Sequence, residues 1–77
     1  MTTIKVYSTN TCPYCVMAKE FLNENKVEFT DINVQEDREA GEDMVKKSGQ
    51  YGVPVIDIDG EIIVGFDKER IKQILKL

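Results

Sequence analysis

Cys12-Pro13-Tyr14-Cys15 contains the only two cysteines in a chain of 77 residues. Their three-position spacing puts two side chains on one face of a helix's first turn. Two thiols so placed can close a small disulfide and open it again, which is the chemistry of thiol–disulfide exchange. The same spacing is half of a structural zinc site, but such a site takes four ligands. This chain offers two cysteines and no histidine, so zinc would need carboxylates to complete it. A dimer bridging an iron–sulfur cluster would restore four thiols. The alternative to a redox pair is therefore a metal- or iron–sulfur-binding carrier module built on the CxxC.

Pro54 is the second residue with chemical meaning. Proline at the opening of a central strand lacks the donor that the ladder needs. A cis bond after Val53 accounts for it, whereas a trans proline would suit the start of an edge strand. Beside Cys12, a cis turn would present the Val53 backbone to an extended substrate segment, in the manner of strand addition. Tyr14 reads either as an aromatic that covers substrate or as an exposed filler. Phe66, between Gly65 and Asp67, reads as a core residue or as an apolar contact near the site. Lys19, one turn beyond Cys15, reads as a solvated helix residue.

The elements that must hold these residues follow from periodicity. Ile4-Lys5-Val6-Tyr7 alternates as a first strand, and Ser8–Thr11 is a polar loop. Pro13 suits the first position of a helix, where its missing N–H is no loss. Met17, Ala18, Phe21 and Leu22 recur at helical spacing, so helix one is expected from Pro13 to about Asn25, with Asn25 as its terminator. Val27, Phe29, Ile32 and Val34 suggest a second strand around Lys26–Asn33. Acidic Glu36, Asp37 and Glu39, then Lys46 and Lys47, then Gly49, give the charge order and stop signal of a second helix. Ala40, Met44 and Val45 form its apolar face, and Gly41 weakens it slightly. Val53–Ile58 reads as strand three, Asp59-Gly60 as a two-residue hairpin turn and Ile62–Val64 as strand four. Asp67 caps a last helix with Ile71, Ile74 and Leu75 facing inward.

The expected order is β-α-β-α-β-β-α, an α/β fold with a four-stranded mixed sheet flanked by helices in one domain over residues 1–77. The CxxC falls where strand one hands over to helix one, with Cys12 as N-cap and Cys15 as the third helical residue. A thiolate at the N-cap accepts hydrogen bonds from the amides near Tyr14 and Cys15 and gains from the helix dipole, so its pKa should fall below the free value of about 8.5. Cys15 has fewer donors and stays a thiol until needed. Cys12 is thus the nucleophile that attacks a substrate disulfide, and Cys15 resolves the mixed disulfide.

Fourteen acidic against ten basic residues leave a formal charge of −4. Nucleic acids and anionic membranes need a basic patch, so neither is an expected partner. No apolar run has the length of a membrane span and no signal peptide is evident, so the expected location is the cytoplasm, and the expected state a monomer. In a reducing compartment two cysteines point to catalysis or metal binding rather than to a structural staple.

Taken together, Cys12-Pro13-Tyr14-Cys15, Val53-Pro54, Asp59-Gly60 and Gly65-Phe66-Asp67 resemble a glutaredoxin over nearly the whole chain. The stretches Gly52–Gly60 and Val64–Asp67 are similar to short glutaredoxin-like proteins of the YruB type. The resemblance implies the thioredoxin fold, a cis Pro54, a nucleophilic Cys12 and a resolving Cys15. It also implies a substrate surface of Pro13, Tyr14, Val53, Pro54, Gly65 and Phe66, with no cofactor beyond glutathione as a reductant. Glutathione-using members commonly carry a Gly-Gly pair followed by Ser/Thr-Asp or Asp-Asp, and often a lysine before the active-site loop. Here those places hold Val64-Gly65, Lys68 and Thr9. Gly65-Phe66 is closer to NrdH-redoxins, which are reduced by a flavoprotein thioredoxin reductase. The expected partners are disulfide-containing proteins, with a thioredoxin-reductase-like flavoprotein or glutathione as electron source.

Overall fold

Four short strands rich in β-branched residues gather into one sheet, and the helical-period segments between them cover its two faces. In the computed structural model, which describes residues 3–50 and 52–76, the order is β1 (Ile4–Ser8), α1 (Pro13–Glu24), β2 (Thr30–Asn33), α2 (Arg38–Ser48), β3 (Val55–Ile58), β4 (Glu61–Val64) and α3 (Lys68–Leu75). The strands lie side by side as β2-β1-β3-β4. β1 and β2 run parallel through the α1 crossover, while β3 is antiparallel to both β1 and β4. The mixed sheet and element order are those expected from the sequence.

Period-two alternation divides the apolar residues between two cores. Ile4, Val6, Ile56, Ile58 and Ile63 meet Ala18, Phe21 and Leu22 of α1 and Ile71 of α3 on one face. Tyr7 and Val55 meet Met44 of α2 on the other, with Ala40 and Val45 packed alongside. A one-residue slip of any strand would exchange these sets, so burial on both faces fixes the register.

Local chemistry closes each element. Asp37 Oδ1 accepts the Ala40 N–H at 3.1 Å and caps α2, and Gly49 at φ 76° ends it in the left-handed region. Asp67 Oδ1 accepts the Arg70 N–H at 3.2 Å and caps α3. Asp59 and Gly60 turn at φ 49° and 94°, the pair of positive values that a two-residue hairpin turn of matching twist requires.

Two strand boundaries and one helix-face assignment differ from the sequence expectation. Strand two begins at Thr30 rather than Lys26, because the preceding residues finish α1. Asn25 is the C-cap of α1, as expected, and Lys26 after it takes the left-handed position at φ 57°. Its N–H reaches Asn23 O and that of Val27 reaches Leu22 O, the paired bonds that cap a helix C-terminus. Val27 and Phe29 pack on the core from outside the strand. Strand three begins at Val55 rather than Val53, since the turn at Val53-Pro54 precedes the ladder. Met17 is 46% exposed and stands off the apolar face of α1.

Candidate active site

β1 delivers the chain through Thr9–Thr11 to Cys12, which occupies the N-cap of α1 in extended conformation (φ −131°, ψ 99°), with Pro13 following at the first helical position. Cys12 Sγ accepts the backbone N–H of Cys15 at 3.1 Å. Of the two amides expected to serve this sulfur, the Cys15 amide is the one that does so among the described residues. The two cysteines are joined as a disulfide, their Cα atoms 5.2 Å apart. They are unequal in access: Cys12 is 9% exposed and Cys15 fully buried. The asymmetry has a structural cause. The N-cap lies at the rim of the helix, while the third residue points back into the turn and the core.

The rest of the expected site gathers at the same end of the sheet. Tyr7 pairs with Val55 in the antiparallel register, so the exit of β1 lies beside the entry of β3. The Val53–Pro54 bond is cis. Pro54 is buried and its carbonyl accepts the Gly65 N–H at 2.8 Å. That bond ties the residue after β4 to the turn before β3, and Gly65 meets it at φ 80°. Pro13 and Tyr14 are exposed beside Cys12, Tyr14 at 63%. Val53 is half-buried against the α2-side core. Phe66 turns inward, its ring 5.9 Å from that of Phe21, and belongs to the packing of the α1/α3 face. Lys68 is exposed, and its Nζ stands 5.6 Å over the Phe21 ring.

Several polar contacts around this frame leave no signal in the sequence. Lys19 is ion-paired rather than merely solvated: its Nζ lies 3.0 Å from Asp31 Oδ2, and Asp31 Oδ1 accepts the buried Ser8 hydroxyl at 2.9 Å. Asn10, in the loop before Cys12, is held by Asn33 at the end of β2 and by Gln35 of the turn that follows. On the α2 face, Lys47 Nζ donates to Asp57 Oδ2 at 2.9 Å and to the Tyr7 hydroxyl at 3.1 Å, and lies 3.3 Å from Asp43. Only the Asp43–Lys47 spacing, one helical turn, is a sequence signal.

The electrostatics of that cluster are clear in direction. Burial pushes the Asp57 carboxyl up, but the Lys47 ammonium and the Gly60 N–H outweigh it and hold the group below its ordinary value. Hydrogen bonding to Asp57 first, and then to Tyr7, holds Lys47 above its ordinary value against the opposing effect of burial. The Lys47 hydrogen bond also lowers Asp43. Among the described residues, no three or more Cys, His, Asp or Glu side chains converge as ligands for a metal ion.

A four-stranded mixed sheet with a redox-capable CxxC at the head of its first helix is the frame of thioredoxin-like proteins. The structure is similar to that of a mutant of the thioredoxin-like protein BC3987, with a TM-score of 0.91 and 37% identity over 99% of this chain and 97% of that one. It is also similar to the glutaredoxin-like protein NrdH-redoxin from Escherichia coli, with a TM-score of 0.83 and 27% identity over 92% of each chain. In sequence it is 49% identical, over 95% of this chain and 97% of the relative, to an uncharacterized glutaredoxin-like 8.6 kDa protein in the rubredoxin operon of Clostridium pasteurianum. It is 37% identical to glutaredoxin 3 of Escherichia coli K12, over 87% of this chain and 81% of the relative. The glutaredoxin family model matches residues 4–63, and the chain belongs to the glutaredoxin family. Its general activity is that of the family, thiol–disulfide oxidoreduction.

Proposed function

We propose that this protein reduces protein disulfides by a dithiol mechanism in which Cys12 attacks and Cys15 resolves. The observation that carries the reading is the inequality of the two sulfurs: Cys12 at the helix rim under the Cys15 amide, Cys15 buried behind it. In the reduced protein the Cys12 thiolate attacks one sulfur of a substrate disulfide. A bond forms between Cys12 Sγ and that sulfur, and the other leaves as a thiolate that takes up a proton. Cys15 then loses its proton and attacks Cys12 Sγ, closing the Cys12–Cys15 disulfide and expelling the second substrate sulfur. Two electrons pass to the substrate, and a reductant must return two to the pair.

Substrate docks, in this reading, on the surface formed by Pro13, Tyr14, Val53, Pro54 and Gly65, with Phe66 bracing it from the core. No described residue hydrogen-bonds to the backbone of Val53, which supports its use as a short pairing edge for an extended segment.

The proposed electron source is a thioredoxin-reductase-like flavoprotein. Glutathione carries two carboxylates that need cationic or amide anchors, and Thr9 supplies no charge while Lys68 is engaged over Phe21. The solved NrdH-redoxin, a glutaredoxin-like protein with a thioredoxin-like activity profile, supports the same reading. Glutathione is the second reading, favoured by the CPYC sequence and by the likeness to glutaredoxin 3. The proposed setting is the cytoplasm, and no helix among the described residues is long and apolar enough to cross a membrane.

The test follows NADPH consumption by the oxidised protein in two reconstituted systems, one with thioredoxin reductase and one with glutathione plus glutathione reductase. Turnover with the flavoprotein is expected. Turnover only with glutathione overturns the assignment of reductant, and turnover with neither, using an oxidised protein substrate, overturns the dithiol mechanism.

A further inference from the structure

The loop that presents Cys12 is fastened from outside the CxxC. The Asn10 backbone N–H donates to Gln35 Oε1 at 2.9 Å, and the Asn10 side-chain carbonyl accepts from Asn33 Nδ2. Two residues earlier, at the end of β1, Ser8 O accepts the Val34 N–H at 2.9 Å. The holding side is itself braced. Asn33 Oδ1 accepts the Gln35 N–H at 2.9 Å, and the Asn33 carbonyl accepts the N–H groups of Glu36 and Asp37. Asn10 is therefore held at both its backbone and its side chain by the end of β2 and the turn that follows it, two residues before Cys12.

We propose that Asn33 and Gln35 are positioning residues for the Cys12 sulfur, acting through Asn10. The proposal rests on Cys12 being the attacking thiol. The physical argument is one of torsions. Cys12 Sγ meets the Cys15 amide only while Cys12 keeps its extended N-cap conformation. The only covalent restraint on that conformation from the N-terminal side is the Thr9–Thr11 loop. Free, such a loop samples many conformations, and in most of them the N-cap sulfur leaves the helix amides. Clipping Asn10 to the β2–α2 turn removes that freedom where it matters. Each of these exposed hydrogen bonds adds little net stability, so their consequence lies in thiolate placement more than in folding. The turn that holds the clip also opens α2, whose first turn follows at Arg38.

The test is the pH profile of iodoacetamide alkylation of the reduced protein, with the modified cysteine identified by peptide mass spectrometry. Gln35→Met removes the acceptor and Asn10→Ala removes the side-chain contact, while Glu39→Gln alters α2 without touching the clip. In Gln35→Met and Asn10→Ala, Cys12 should alkylate about two- to fivefold more slowly near pH 6, the size expected for weakening one charge interaction at a helix N-terminus. The double variant should lose little more than either single one, since each frees the same loop, and Glu39→Gln should match the parent. Melting temperatures are recorded alongside. A lower melting temperature with an unmoved Cys12 profile overturns the positioning role and leaves the clip purely structural. Preferential alkylation of Cys15 in the unaltered protein overturns the assignment of Cys12 itself, a separate outcome.

Discussion

The Cys15 backbone amide points at Cys12 Sγ from 3.1 Å, while the Cys15 sulfur is shut off from solvent. In the proposed mechanism one residue would supply both the stabilising dipole for its partner and the resolving thiol behind it. Cys12→Ser should abolish disulfide reduction. Cys15→Ser should leave the first attack intact and accumulate a mixed disulfide on Cys12, visible as a mass increase that dithiothreitol removes. Absence of any trapped adduct would reverse the two roles.

The Lys47–Asp57 contact gives a pH signature of stability. Asp57 titrates below its ordinary 3.8 when folded, so its contribution is present above that value and is lost as pH falls through the lower folded pKa. Lys47 titrates above its ordinary 10.5, so its contribution is present below that value and is lost as pH rises through the folded pKa. Across the neutral range the pair contributes fully. Lys47→Met should cost about 1–3 kcal/mol near neutrality, less than for a fully enclosed pair because the lysine is partly exposed. Asp57→Asn should flatten the acid limb of the stability curve. Urea denaturation at a series of pH values checks both, and an unchanged acid limb would show that the pair has no linkage to folding.

Gly65 stands at φ 80° with its N–H on the Pro54 carbonyl. A Cβ at this position meets no atom within 4 Å, so the penalty for Gly65→Ala is conformational rather than steric, about 1–2 kcal/mol. The turn would relax by shifting the Gly65–Pro54 contact. The expected result is a lower denaturation midpoint together with a raised KM for a protein disulfide substrate.

Gly41 offers the opposite case. It lies inside α2, and an added Cβ would meet Val34 at 3.7 Å, an ordinary contact. Gly41→Ala should therefore stabilise by about 0.5–1 kcal/mol through helix propensity, without loss of disulfide reductase activity. A destabilised variant would show that the neighbouring Val34 cannot accommodate even that contact.

What the sequence determined by itself was local. The CxxC spacing, Pro13 at the first helical position, Asp37 and Asp67 as N-caps, Gly49 as a stop and Asp59-Gly60 as a turn are all interactions within about four residues, so residue type and spacing suffice to read them. Hydrophobic periodicity added the order of elements and most of the two cores. Where it misjudged, at Lys26 and Met17, tertiary packing chose among options that were locally close in energy. Where strand two starts was one such choice, as was which flank of α1 faces the sheet. Only the tertiary structure decided which distant polar groups meet. Asp57 finds Lys47, Asp31 finds Lys19 and Ser8, and Asn10 finds Asn33 and Gln35, because strand register and helix docking set positions that spacing along the chain does not encode. The same long-range register brings Pro54 and Gly65 to the end of the sheet from which β1 leads to Cys12, a neighbourhood that CxxC spacing alone does not encode.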